Sequence, residues 1–161
     1  MAKTHTPDPI RGLAAGLAAG LVASLAMNLF QKGWTGVVPM PDTNGEPATV
    51  KAAGKASRAT TGKSIARRDK PAAGEAVHYL FGAALGATYG LLAEYKPEVT
   101  AANGAWFGTM ATAFDEIGVP LAGLSEPPNE FGPATHAYAF VSHALFGVVA
   151  EFVRFELRVR D

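Results

Sequence analysis

The stretch GLAAGLAAGLVASLAMNLFQ, residues 12 to 31, decides how the rest of the chain is read, because its twenty residues include no ionisable side chain. As a helix it rises about 30 Å, the thickness of a bilayer's hydrocarbon core. A helix of that length on a soluble protein needs one polar face to meet water, and this run is apolar all round. Lys3 and Arg11 ahead of it and the small residues within it also suit a cleaved signal peptide. Three further apolar runs would survive such a cleavage.

Residues 76 to 93, AVHYLFGAALGATYGLLA, carry only His78 and Tyr89 as titratable groups. Residues 99 to 114 are uncharged, followed by Asp115-Glu116 and by an apolar stretch that contains Pro120. Residues 131 to 150 hold no charge beyond two histidines, and Glu151, Arg154, Glu156, Arg158 and Arg160 follow. A chain of 161 residues has too little other material to bury four such helices away from water. The expected fold is therefore all-α, a single membrane domain over residues 1–161. It is an integral membrane bundle of about four transmembrane helices, with spans near 11–31, 75–94, 100–121 and 133–154. A basic loop at 35–72 joins the first two.

Composition supports this reading. Hydrophobic residues make up 48% and charged residues 17%, where soluble domains carry roughly 25% charged. Fourteen basic residues balance fourteen acidic ones, so no net field recruits nucleic acid. The lipid bilayer is the expected partner. The absence of cysteine excludes disulfides, thiolate metal sites and a cysteine nucleophile.

Glycine recurs every fourth residue at Gly12, Gly16 and Gly20, with Ser24 next, and again at Gly82, Gly86 and Gly90; Gly104 and Gly108 repeat the spacing. Small residues so spaced share one helix face and let backbones approach closely. A compact bundle explains them more simply than a dedicated dimerisation face, although a homo-oligomer or a larger membrane complex remains an expected partner. Between the first two helices, KAAGKASRATTGKSIARRDK (51–70) is basic with a weakly apolar face, suited to a solvated loop or a short helix on anionic headgroups. The loop between the first two apolar runs holds eight basic residues against six on the opposite side, too even a split to orient the chain.

Titratable groups at membrane depth are costly and default to functional candidates. His78, Asp115, Glu116, His136, His143 and Glu151 form the expected intramembrane polar cluster, and Pro120, which lacks an amide hydrogen for Glu116, is the expected helix break. These groups either tie helices together or share protons or an ion. Glu75-Ala-Val-His78 is half of a di-iron motif without a second copy. No cofactor or metal site is therefore expected, the sharper alternative being haem or metal ligated between His78 and His143. No nucleophile elbow or phosphate loop is present, so the chain reads as non-enzymatic.

From residue 74 to the C-terminal helix the chain resembles the YagU family of small bacterial inner-membrane proteins. The resemblance rests on His78 with Phe81 and Gly82, then Tyr89, Ala93-Glu94, Pro97, Gly104, Gly108, Pro120, Gly123-Leu124, Pro127-Pro128, His136, His143, and Glu151 with Arg154. It implies a multi-pass protein of the bacterial inner (plasma) membrane with a link to acid tolerance, and it supplies no reaction. The first loop is longer and more basic than that family's pattern. Competing readings are a proton- or ion-responsive channel or transporter using the intramembrane Asp, Glu and His groups, and an accessory subunit of a membrane complex.

Overall fold

The computed structural model describes residues 6–38 and 45–159. The described residues form five α-helices and three short 3-10 segments, with no strand among them. The helices are α1 (Pro9–Val37), α2 (Ala48–Thr61), α3 (Lys70–Tyr95), α4 (Ala105–Leu121) and α5 (Pro133–Val159). Three segments are long and apolar enough to cross a membrane: Pro9–Val37, Arg67–Tyr95 and Pro133–Arg158. At 17 residues, α4 rises only about 25 Å.

Local chemistry sets several helix ends. The Asp8 carboxylate accepts the Arg11 amide hydrogen at 3.0 Å and Pro9 opens α1, as caps and first-turn prolines do. Gly62 ends α2 with φ of 70°. At the end of α4, Gly123 is left-handed, the Leu124 amide reaches the Val119 carbonyl at 3.1 Å and the Gly123 amide reaches that of Pro120 at 2.8 Å, which is a Schellman closure.

The four longer helices α1, α3, α4 and α5 alternate in direction, and glycine sets the spacing of the α1–α3 and α4–α5 pairs. Along α1 and α3, Gly12 faces Gly90, Gly16 faces Gly86 and Gly90, and Gly20 faces Gly82, so closely that a Cβ on any of them would strike the opposing backbone or, at Gly82, the Ser24 side chain. Gly104 and Gly108 of the α4 side meet Gly147 and the His143 carbonyl of α5 in the same way. α5 also packs antiparallel on α1 through Ala19, Ala23, Met27, Phe146 and Ala150, and Phe30 and Trp34 meet Tyr138 at one end. α2 covers the start of α3, its Val50 filling the notch at Gly74.

The radial distribution of residues is the reverse of a water-soluble protein's. The buried face of α1 is Gly12, Ala15, Gly16, Ala19, Gly20, Ala23, Ser24 and Met27. Leu13, Leu17, Leu21, Leu25 and Leu29 stand exposed on the same helix, as do Leu80, Phe114, Ile117 and Phe152 elsewhere. Large apolar groups outside and small ones inside suit a solvent as apolar as leucine.

Several expected boundaries are corrected. The loop placed at 35–72 contains α2, α1 runs on to Val37, and α3 starts at Lys70 with Pro71 in its first turn. Residues 39–44 of that loop lie outside the described residues. The span placed at 100–121 begins as a helix only at Ala105: residues Pro97–Gly104 are 3-10 with Ala102 and Asn103 left-handed (φ 53° each) and Gly104 at 84°. This segment packs against α3, α4 and α5 before α4 starts. α5 continues past 154 to Val159 because Arg154 and Arg158 find partners inside the bundle. Pro120 does not break α4 at the two carboxylates; the helix runs one residue past it, to Leu121, with no amide hydrogen from Pro120 for the Glu116 carbonyl.

Gly86→Val should lower the melting temperature in detergent, with a cost at or above the upper end of the roughly 1–3 kcal/mol of an overpacked core. Gly33→Ala, where nothing lies within 4 Å, should leave it unchanged or raise it; equal effects would show that the glycine contacts do not set the fold. Ala102→Gly should stabilise by about 1 kcal/mol by relieving a left-handed alanine, measurable in the same melts.

Candidate functional site

The polar groups divide among three places. At the end of the bundle where α1 begins and α3 and α5 finish, two carboxylates are held by arginines. Glu94, whose side chain is fully buried, accepts from Arg158 Nε at 2.7 Å and from its second nitrogen at 2.9 Å, and accepts the Asp8 amide hydrogen at 2.8 Å. Glu151 accepts from Arg154 at 2.7 Å through both nitrogens and from the Tyr89 hydroxyl at 2.6 Å. Tyr89 is wholly buried, its ring 4.4 Å from that of Phe107 and 6.0 Å from the Arg154 guanidinium carbon. Paired arginine forks of this kind satisfy both charges while they leave water. The arrangement joins α1, α3 and α5 and leaves Glu151 beside Gly104.

At the opposite end Glu116 of α4 meets His136 of α5 at 2.8 Å, and the other ring nitrogen of His136 lies 3.1 Å from the Pro128 carbonyl. This is a clip between α4 and α5 that also fixes the connecting loop.

The third place is a cavity of about 600 Å³ bounded by all five helices, and His78, Asp115 and His143 line it. It exists because α3 and α4 touch through side chains, Phe81 stacking on Phe114 at 5.6 Å, while each is drawn by its glycines to a different neighbour. α2 closes one side: Lys55 donates to the Ala122 carbonyl at 2.7 Å and the Gly123 carbonyl at 3.2 Å, holding the end of α4. His78 Nε2 lies 3.4 Å from the Ser24 carbonyl of α1, and His143 Nδ1 donates to the Ala139 carbonyl of its own helix at 2.8 Å. Asp115 forms no hydrogen bond or ion pair with another described residue, though it lies within electrostatic range of His143 and Glu116. The Ser24 hydroxyl, fully buried, has no partner either.

The six residues expected as one cluster thus occupy three separate sites. Among the described residues no grouping of three or more metal-binding side chains occurs, and His78 turns its Nε2 toward α1 rather than toward His143. Sequence reasoning missed the Glu94–Arg158 pair, having read both as flanking charges. The signal was present: Glu94 continues the series Gly82, Gly86, Gly90 and so faces α1, and Arg158 lies one turn beyond Arg154.

Residues 29–152 match the family described as a protein of unknown function, DUF1440. The chain belongs to that family. The match takes in α2 to α4 with most of α5, and therefore the whole cavity except its α1 edge at Ser24, Met27 and Asn28. No curated protein and no solved structure matches the chain. A family of unknown function and three apolar helices of spanning length are compatible with a membrane protein of unknown role.

Arg154→Ala should destabilise the protein in detergent by about 3–5 kcal/mol, because it strands the Glu151 carboxylate in a dry site. Adding Glu151→Gln should recover part of the loss. A double variant no better than the single one would show that the pair does not act as a unit.

Proposed function

We propose that the chain is a non-enzymatic, multi-pass protein of the bacterial plasma membrane in which α1, α3, α4 and α5 all cross, as the YagU resemblance implies. The observation that carries this reading is the inverted radial order: glycine, alanine and serine inside, leucine and phenylalanine outside. Aromatic side chains at both ends, Trp34 and Tyr138 near α2 and Tyr95 and Trp106 opposite, suit two membrane interfaces. The 3-10 segment ahead of α4 supplies the length that α4 alone lacks. Tyr89, Glu94, Glu116, His136, Glu151 and Arg158 join helices, which favours a structural use over a reaction. The acid-tolerance link that the resemblance implies would then rest on histidine, the group that titrates near neutrality.

The α2 end is taken as the cytoplasmic one. Among the described residues Lys32, Lys51, Lys55, Arg58, Lys63, Arg67, Arg68 and Lys70 lie there, against Arg11, Lys96, Arg154 and Arg158 at the other end. An excess of lysine and arginine favours the cytoplasmic side. Since the chain lacks cysteine, Ser57→Cys and Lys96→Cys give clean reporters. In intact cells an impermeant maleimide should label the cysteine at 96 and not the one at 57. Labelling of both or of neither, or release of the protein from membranes by alkaline carbonate, would overturn the reading.

A second reading, a proton- or ion-responsive pathway, is favoured by one observation: His78, Asp115 and His143 face a shared cavity. Asp115→Asn should then abolish proton flux into proteoliposomes, and flux that ignores this change would count against it.

A further inference from the structure

The cavity beside α4 has a lining that selects a class of ligand. Its volume, about 600 Å³, falls in the range of about 300–1,000 Å³ that encloses small organic molecules. The walls are largely apolar, with Phe81, Phe114 and Phe146 among them. Besides the two histidines, three side chains able to carry charge line it: Lys32, Glu75 and Asp115. Lys32 and Glu75 are exposed and opposite in sign, so they cancel at the rim. Asp115 is half-buried and has no hydrogen-bonding partner among the described residues. It leaves one net negative charge within the apolar lining.

The histidines add acceptors and no further anion. His143 donates through Nδ1 to the Ala139 carbonyl, and a neutral ring held that way offers Nε2 as an acceptor. His78 directs Nε2 toward the Ser24 carbonyl, which in a neutral ring leaves Nδ1 as the acceptor. A carboxylate, imidazole acceptors and the stacked Phe81–Phe114 pair together suit a cation that carries N–H donors. Aromatic faces attract such ions, and a desolvated carboxylate binds them through charge-assisted hydrogen bonds. An anion would meet repulsion from Asp115, and a neutral apolar guest would leave Asp115 stranded.

We propose that this cavity binds a lipophilic organic ammonium ion, its protonated amine at Asp115 and its apolar body among Phe81, Phe114 and Phe146. The proposal goes beyond membrane residence and helix cohesion. It identifies the ligand by chemistry: a primary or secondary amine on an aromatic or aliphatic body of a few hundred cubic ångströms.

The test uses full-length protein in nanodiscs of uncharged phosphatidylcholine, with dansylcadaverine as the fluorescent amine. Empty nanodiscs provide the baseline for partition into lipid. Saturable binding is expected, weakened about tenfold or more, or 1.4 kcal/mol, when the amine is N-acetylated or when Asp115 is changed to Asn. A dansyl carboxylate of the same length should not bind saturably. Ala52→Phe, which fills the cavity from α2 and leaves Asp115 in place, should also weaken binding, and it serves if Asp115→Asn does not fold. Equal binding of the acetylated or carboxylate probe, or indifference to Ala52→Phe, would overturn the proposal. Failure of membrane insertion is separately visible in carbonate extraction before any dye is added.

Discussion

Backbone-to-backbone contact at glycine governs this bundle. In water, helices are driven together by burying large apolar side chains, but in lipid that gain vanishes because the exposed alternative is equally apolar. What remains is close packing and the polar contacts it permits. Gly12, Gly16 and Gly20 against Gly82, Gly86 and Gly90 bring α1 and α3 to the shortest separation that two helices allow. The same device joins α4 to α5. Every other feature of the interior, including where charges are buried and where space is left, follows from those two contacts.

The arginine pairs and the cavity show the two outcomes of such packing. Where the glycine faces run out, Glu94 and Glu151 occupy the positions just beyond them, and the closeness of the helices excludes water from the Arg158 and Arg154 contacts. Where no glycine seam exists, between α3 and α4, the helices stand apart, and the rings of Phe81 and Phe114 and those of Tyr89 and Phe107 bridge the gap. Rigid ends and a hollow flank are thus products of one spacing rule.

The helical class, the approximate position of three long helices and the identity of the small-residue faces are legible in the sequence, because periodicity of four and freedom from charge are local properties. The start of the third apolar run is not. Left-handed backbone at Ala102 has no local signature; Asn103-Gly104 is a turn dipeptide, but the uncharged residues 99 to 104 read as helix by hydropathy alone. The polar residues were legible individually. Their grouping was not, since it depends on which helices touch: His136 is drawn to Glu116 by the α4–α5 contact, while Asp115, one residue earlier, points into the cavity. A difference of about 100° around a helix separates a paired group from a solitary one.

The connection between α1 and α3 has a mechanical consequence. α2 is pinned at both flanks of the hollow, by Val50 in the notch at Gly74 and by the Lys55 ammonium on the last carbonyls of α4. It therefore acts as a strap across the splayed pair, placed under tension by any outward swing of α4. Its hold on α4 is made by an exposed, charged ammonium, so the stiffness of that wall answers to ionic strength, whereas the close backbone contacts at the glycines do not.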